Sequence, residues 1–179
     1  NCTIAIDAYR EALKVFSIDD NPQDYARAYN NLGGAYLILA EAKDQAANYK
    51  MAIESFDKAL EVRTITAFPK DYALTKNNAA NTYANLSLLE DSEQNLRLAI
   101  ESYEDVLKIH TKEKSPLQFG LILNNIGNAY SMLAVLKDKK KNSEMAVDAF
   151  EKALSVRTIE QMPVQYANTM FNLADAYLV

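Results

Sequence analysis

Residues 29–36 read Tyr29-Asn30-Asn31-Leu32-Gly33-Gly34-Ala35-Tyr36, and the chain returns to this phrase at a fixed step of 47 residues. The returns are Lys76-Asn77-Asn78-Ala79-Ala80-Asn81-Thr82-Tyr83, Leu123-Asn124-Asn125-Ile126-Gly127-Asn128-Ala129-Tyr130, and Met170-Phe171-Asn172-Leu173-Ala174-Asp175-Ala176-Tyr177. The same step spaces all four prolines, Pro22, Pro69, Pro116 and Pro163. It also links Ala5, Ala52, Ala99 and Ala146, then Leu13, Leu60, Leu107 and Leu154, with no insertion or deletion. A period of this size marks stacked supersecondary units, each too thin to bury its own apolar face. The copies run over 5–51, 52–98, 99–145 and 146–179, so residues 1–179 are expected to form one repeat domain. An opening on Asn1 rather than Met fits a piece of a longer protein.

Each period reads as two helices. From Ala52 the apolar positions are Ala52, Ile53, Phe56, Ala59, Leu60 and Val62, the spacing of a helix with one buried stripe. A second helix is predicted to open at each proline, whose missing N–H would be unpaired in the first turn anyway. Asn21 and Ser115, just before two of the prolines, are good capping residues, whereas Phe68 and Met162 are poor ones. This helix is expected to run about 20 residues, to Asp44, Asp91 or Asp138, each read as the cap of the helix that follows. No segment alternates with the period of a half-buried strand, so the fold is expected to be all-α.

The columns of the repeat say how copies pack. Gly33, Ala80, Gly127 and Ala174 leave a shallow notch for a neighbouring helix, and the columns Ala5, Ala52, Ala99, Ala146 and Ala12, Ala59, Ala153 (Val106 in the third copy) are the matching small faces. Tyr36 and its equivalents, with Tyr9, Phe56, Tyr103 and Phe150, fill the gaps between them. Close approach of this kind brings helix axes to about 8–10 Å.

Composition narrows the function classes. Of 179 residues, 24 are acidic and 19 basic, a net charge of −5, which argues against a surface built to neutralise phosphates. The longest apolar run, Ala35 to Ala40, is six residues, too short to span a bilayer, and no signal-peptide pattern is present. Cys2 is the sole cysteine, so there is no disulfide framework, and a cytoplasmic location is expected. His110, the sole histidine, occupies the column of Arg63 and Arg157 near a helix end, where a cation suits the helix dipole. The glycines lie within helix patterns and form no phosphate loop. The basic run Lys137-Asp138-Lys139-Lys140-Lys141 falls in one interhelical turn and reads as solvated. No catalytic set, cofactor site or metal site is expected, and neither nucleic acid nor membrane is an expected partner.

The phrase Tyr29-x2-Leu32-Gly33-x2-Tyr36, followed by Ala52-x3-Phe56-x2-Ala59, resembles the tetratricopeptide repeat. It recurs as Leu123-x2-Ile126-Gly127-x2-Tyr130 with Ala146-x3-Phe150-x2-Ala153. The step of 47 exceeds that family's usual 34, and the phrase N-N-L-G-x-A-Y is similar to the long repeats of the kinesin light chain type. The resemblance implies a right-handed α-solenoid of about four hairpins and a non-catalytic role: a scaffold that binds a protein or peptide in a concave groove. It further implies that Asn31, Asn78, Asn125 and Asn172 line that groove. Asn30, Asn77 and Asn124 lie beside them, Asn81 and Asn128 one turn on, and Arg27 on the same helix face. A side-chain amide offers a donor and an acceptor, matching a peptide unit. The same asparagines could instead form a ladder bonding helix to helix within the scaffold, and residue types alone leave both open. The carboxylate clamp known in the family is not matched: its positions carry Arg27, Leu74, Leu121 and Asn168, then Asn30, Asn77, Asn124 and Phe171. The alternative role is structural: a self-assembly or regulatory module of a larger protein, with end-to-end association through the apolar C-terminal helix.

Overall fold

The computed structural model describes residues 1–178. Its eight helices are α1 (Cys2–Ala12), α2 (Pro22–Ala40), α3 (Gln45–Leu60), α4 (Pro69–Leu86), α5 (Ser92–Leu107), α6 (Pro116–Leu136), α7 (Lys139–Leu154) and α8 (Pro163–Leu178). No strand occurs among the described residues. The fold is all-α, of the α-solenoid class, and every proline opens a helix. The chain divides into two compact units, Asn1–Asn95 and Leu96–Val179, with the division falling inside α5.

In the first unit α2 packs against α1, α3 and α4, and α3 against α4. Its core joins Ile6 of α1, Leu32 and Tyr36 of α2, Phe56 of α3 and Ala79 of α4. In the second unit α7 packs between α6 and α8, and α6 touches α8. There Leu96 and Ile100 meet Ala129 and Leu133, while Ala146 and Phe150 meet Leu173 and Ala176. The notch predicted from the sequence is present, but an aromatic ring rather than a small face fills it: a Cβ built on Gly33 would lie 2.6 Å from the Phe56 ring, and Gly127 sits under Phe150 in the same way.

α6 has 21 residues without a charged side chain, so by length and composition alone it is long enough to cross a bilayer, unlike any uninterrupted apolar run in the sequence. In this fold 44% of its most apolar stretch is buried, with Ile122, Leu123, Ile126 and Leu133 turned inward. Leu117, Leu121, Val135 and Leu136 of the same helix are exposed.

The helix starts differ from the sequence expectation. Asn21, Phe68 and Ser115 hold the N-cap positions of α2, α4 and α6 with φ of −136°, −138° and −151°, and no side chain makes a capping bond. The residue before proline is forced toward extended φ whatever its type, so capping preference has little to decide. The turn is held upstream instead, by the column Ser17, Thr64, Thr111 and Thr158. The hydroxyls accept from the N–H of Asp20, Ala67, Lys114 and Gln161 at 3.0, 3.1, 3.3 and 3.3 Å.

Asp44 and Asp138 hold the N-cap positions of α3 and α7, but again without a capping side-chain bond. With Asp91 they adopt left-handed backbone, φ 45–48°, a conformation that Asp and Asn tolerate better than other side chains. The polar closure comes from Asn48, Asn95 and Asn142, a column the sequence reading overlooked. Each donates its amide to the carbonyl five residues back, on Lys43, Glu90 or Lys137, at 2.9, 2.8 and 2.6 Å. All three are buried, so the bond pairs an amide that would otherwise be buried without a partner and ties each following helix to the turn before it.

Candidate functional site

The expected site residues all lie on the helices that open at proline, and the structure divides them by row. In the row of Asn30, Asn77 and Asn124, two oxygens are taken up inside the scaffold. Asn30 Oδ1 accepts from Thr75 Oγ1 at 3.0 Å, which ties α2 to α4. Asn124 Oδ1 accepts from Thr169 Oγ1 at 3.0 Å, which ties α6 to α8. Both threonines are fully buried and also accept from an arginine twelve residues earlier: Arg63 Nη1 at 2.9 Å and Arg157 Nη1 at 2.8 Å. Burial lowers the pKa of both guanidinium groups. The ladder arrangement therefore holds for Asn30 and Asn124, through threonine and arginine partners that residue spacing did not announce.

The third copy departs from this relay. The residues that correspond to Thr75 and Arg63 are Ile122 and His110. His110 Nδ1 and Asn77 Oδ1 are both buried without a hydrogen-bond partner.

The row of Asn31, Asn78, Asn125 and Asn172 is more open: Asn31 is exposed and the other three are half-buried. Asn31 Oδ1 receives only a long bond from Asn30, 3.4 Å. Asn125 is hydrogen-bonded to the Tyr103 hydroxyl, whose pKa is pushed up to about 12 by burial, with the Asn125 bond opposing the shift. Asn172 Nδ2 donates to Asn128 Oδ1 at 3.0 Å and makes a longer contact, 3.4 Å, with Asn124 Oδ1. Asn81 is half-buried and Asn128 exposed. Arg27 is also exposed and pairs with Asp24 one turn back at 2.6 Å. In solution such a pair is worth about 0–1 kcal/mol, so Arg27 remains accessible.

Exposed apolar side chains accompany these amides. Leu74 lies one turn before Asn78, Leu121 one turn before Asn125, and Phe171 next to Asn172. At the far edge of the second unit, α7 and α8 frame a cleft of about 650 Å³ lined by Val147, Ala176 and Tyr177 together with Lys139, Glu144 and Asp148. Tyr177 donates to Glu151 Oε1 at 3.2 Å there, as Arg10 donates to the Tyr36 hydroxyl at 2.6 Å in the first copy. These are the same two repeat positions with donor and acceptor exchanged.

Compared with known proteins, the chain matches the tetratricopeptide repeat family model over residues 26–64 and 122–158. Each segment runs from a proline-opened helix through the next helix and into the turn beyond. No curated protein matches the chain.

Proposed function

We propose that this chain, which is a tetratricopeptide repeat protein, recruits a protein partner by holding an extended segment against its proline-opened helices. Tetratricopeptide repeats serve in general as protein-interaction scaffolds, and that much follows from the family. The finer reading assigns the backbone-holding role to Asn31, Asn78, Asn125 and Asn172, assisted by Asn81, Asn128 and Arg27. The observation that carries it is the contrast between neighbours in the first copy, since Asn125 and Asn172 already hold bonds within the fold. Asn30 and Asn124 are spent on buried threonines, while Asn31, one residue along, keeps its amide in solvent. An amide with solvent on one side exchanges water for a peptide group at small desolvation cost, and each such bond contributes about 0.5–1.5 kcal/mol. A cytoplasmic setting suits the chain's single cysteine.

The test is a pull-down with the intact protein, followed by the same assay with Asn31→Ala plus Asn78→Ala. Capture of the partner should weaken by roughly 1–3 kcal/mol while far-UV circular dichroism stays unchanged. Loss of helicity, without a separable binding defect, would return these amides to the scaffold.

A second reading, self-assembly, is favoured by the α7–α8 cleft and by Leu178, 85% exposed at the end of α8. It requires the sedimentation mass to rise with concentration. A monomer at high concentration removes it.

A further inference from the structure

Resting on the reading that these helices hold an extended segment, we propose that α6 and α8 select one with apolar side chains and a single Lys or Arg, the cation meeting Asp175. α6 has no charged residue, and α8 has one, Asp175. Leu117, Leu121 and Asn128 share one stripe of α6, and Val164, Phe171 and Asp175 share one stripe of α8, by the 3.6-residue turn. The Asn172 bond to Asn128 across 3.0 Å sets the two helices side by side at this level.

Three features then specify the ligand. Leu117, Leu121 and Phe171 are 62%, 42% and 69% exposed, large apolar surfaces that a partner's apolar side chains would cover. The bond between Asn172 Nδ2 and Asn128 Oδ1 leaves Asn128 with an amide donor and Asn172 with a carbonyl acceptor. One donor beside one acceptor matches the C=O and N–H of a peptide unit. Asp175 lies one turn beyond Asn172, is exposed, and forms no ion pair among the described residues. With no cation on either helix, an acidic segment would lose hydration without gaining a partner, whereas a basic one gains the carboxylate.

The probe is a phage-displayed random dodecapeptide library selected on the full chain, with the winning peptide then measured by fluorescence anisotropy. Selected peptides should carry apolar residues and one Lys or Arg. Asp175→Lys should weaken the winner by about tenfold or more and restore binding to the version whose cation is changed to Glu, as expected for a charge pair that sets specificity. Asp175 is solvent-exposed, so the variant keeps its fold, and circular dichroism checks this. Acidic winners, or an Asp175→Lys protein that binds the original peptide unchanged, would overturn the proposed selectivity while leaving the groove intact. Selection of no peptide sensitive to Asn128→Ala or Asn172→Ala would instead defeat the groove reading beneath it.

Discussion

Thr75, with no solvent exposure, donates its hydroxyl proton to Asn30 Oδ1 across 3.0 Å while accepting from Arg63 Nη1 at 2.9 Å. Three segments meet at this hydroxyl: α2, α4 and the turn after α3. Thr75→Val keeps the shape but removes both functions, leaving a buried guanidinium and a carboxamide oxygen with no partner. Unfolding in urea should show a loss of about 2–4 kcal/mol, and Thr169→Val should behave alike through Arg157 and Asn124. A change under 0.5 kcal/mol, the size of an ordinary surface substitution, would show that the relay carries no stability.

The third copy provides the reciprocal experiment. His110 and Ile122 stand twelve residues apart, as Arg63 and Thr75 do and as Arg157 and Thr169 do. Ile122→Thr alone should destabilise by about 1–2 kcal/mol, since a hydroxyl replaces packed carbon in a fully buried site. Adding His110→Arg should recover more than half of that loss in a double-mutant cycle. Strict additivity would mean that the two positions do not communicate.

Gly33 and Gly34 are neighbours on α2 with opposite surroundings. A Cβ at Gly33 would stand 2.6 Å from Phe56 Cε1, whereas one at Gly34 meets nothing within 4 Å. Gly→Ala gains about 1 kcal/mol of helix propensity at either site. At Gly33 the displaced aromatic ring costs about 1–3 kcal/mol, which wins. Thermal unfolding should therefore fall for Gly33→Ala and rise for Gly34→Ala, and equal shifts in the same direction would contradict the packing.

Tyr103 ties stability to alkaline pH. Burial raises its pKa to about 12, above an unfolded value near 10. The folded state therefore holds the proton more tightly, and this stability is full below about pH 10 and lost progressively as pH rises toward 12. The linked change is about 2–3 kcal/mol. Tyr103→Phe should flatten that part of the profile measured by chemical denaturation, and an unchanged slope would assign the effect elsewhere.

Much of the architecture is carried by the chain locally. Proline constrains its own φ and that of the residue before it, so Pro22, Pro69, Pro116 and Pro163 mark helix starts without help from the fold. An uninterrupted step of 47 residues with a 3.6-residue apolar stripe likewise specifies hairpins that must stack, and the Gly33 column was legible as a notch, although the aromatic ring of Phe56 that fills it was not.

What the tertiary structure alone decided is the division of labour among polar residues. Asn30 and Asn31 are chemically identical and adjacent, separated by about 100° around the helix, and nothing in their order says which one meets Thr75. That depends on where α4 and the Arg63 turn arrive in space. In the same way Asn48 rather than Asp44 closes the turn before α3, because Asp44 is taken up in left-handed backbone and its side chain makes no capping bond. Periodicity determines which residues recur, and the approach of distant segments determines which of them are buried with a partner and which remain for a ligand.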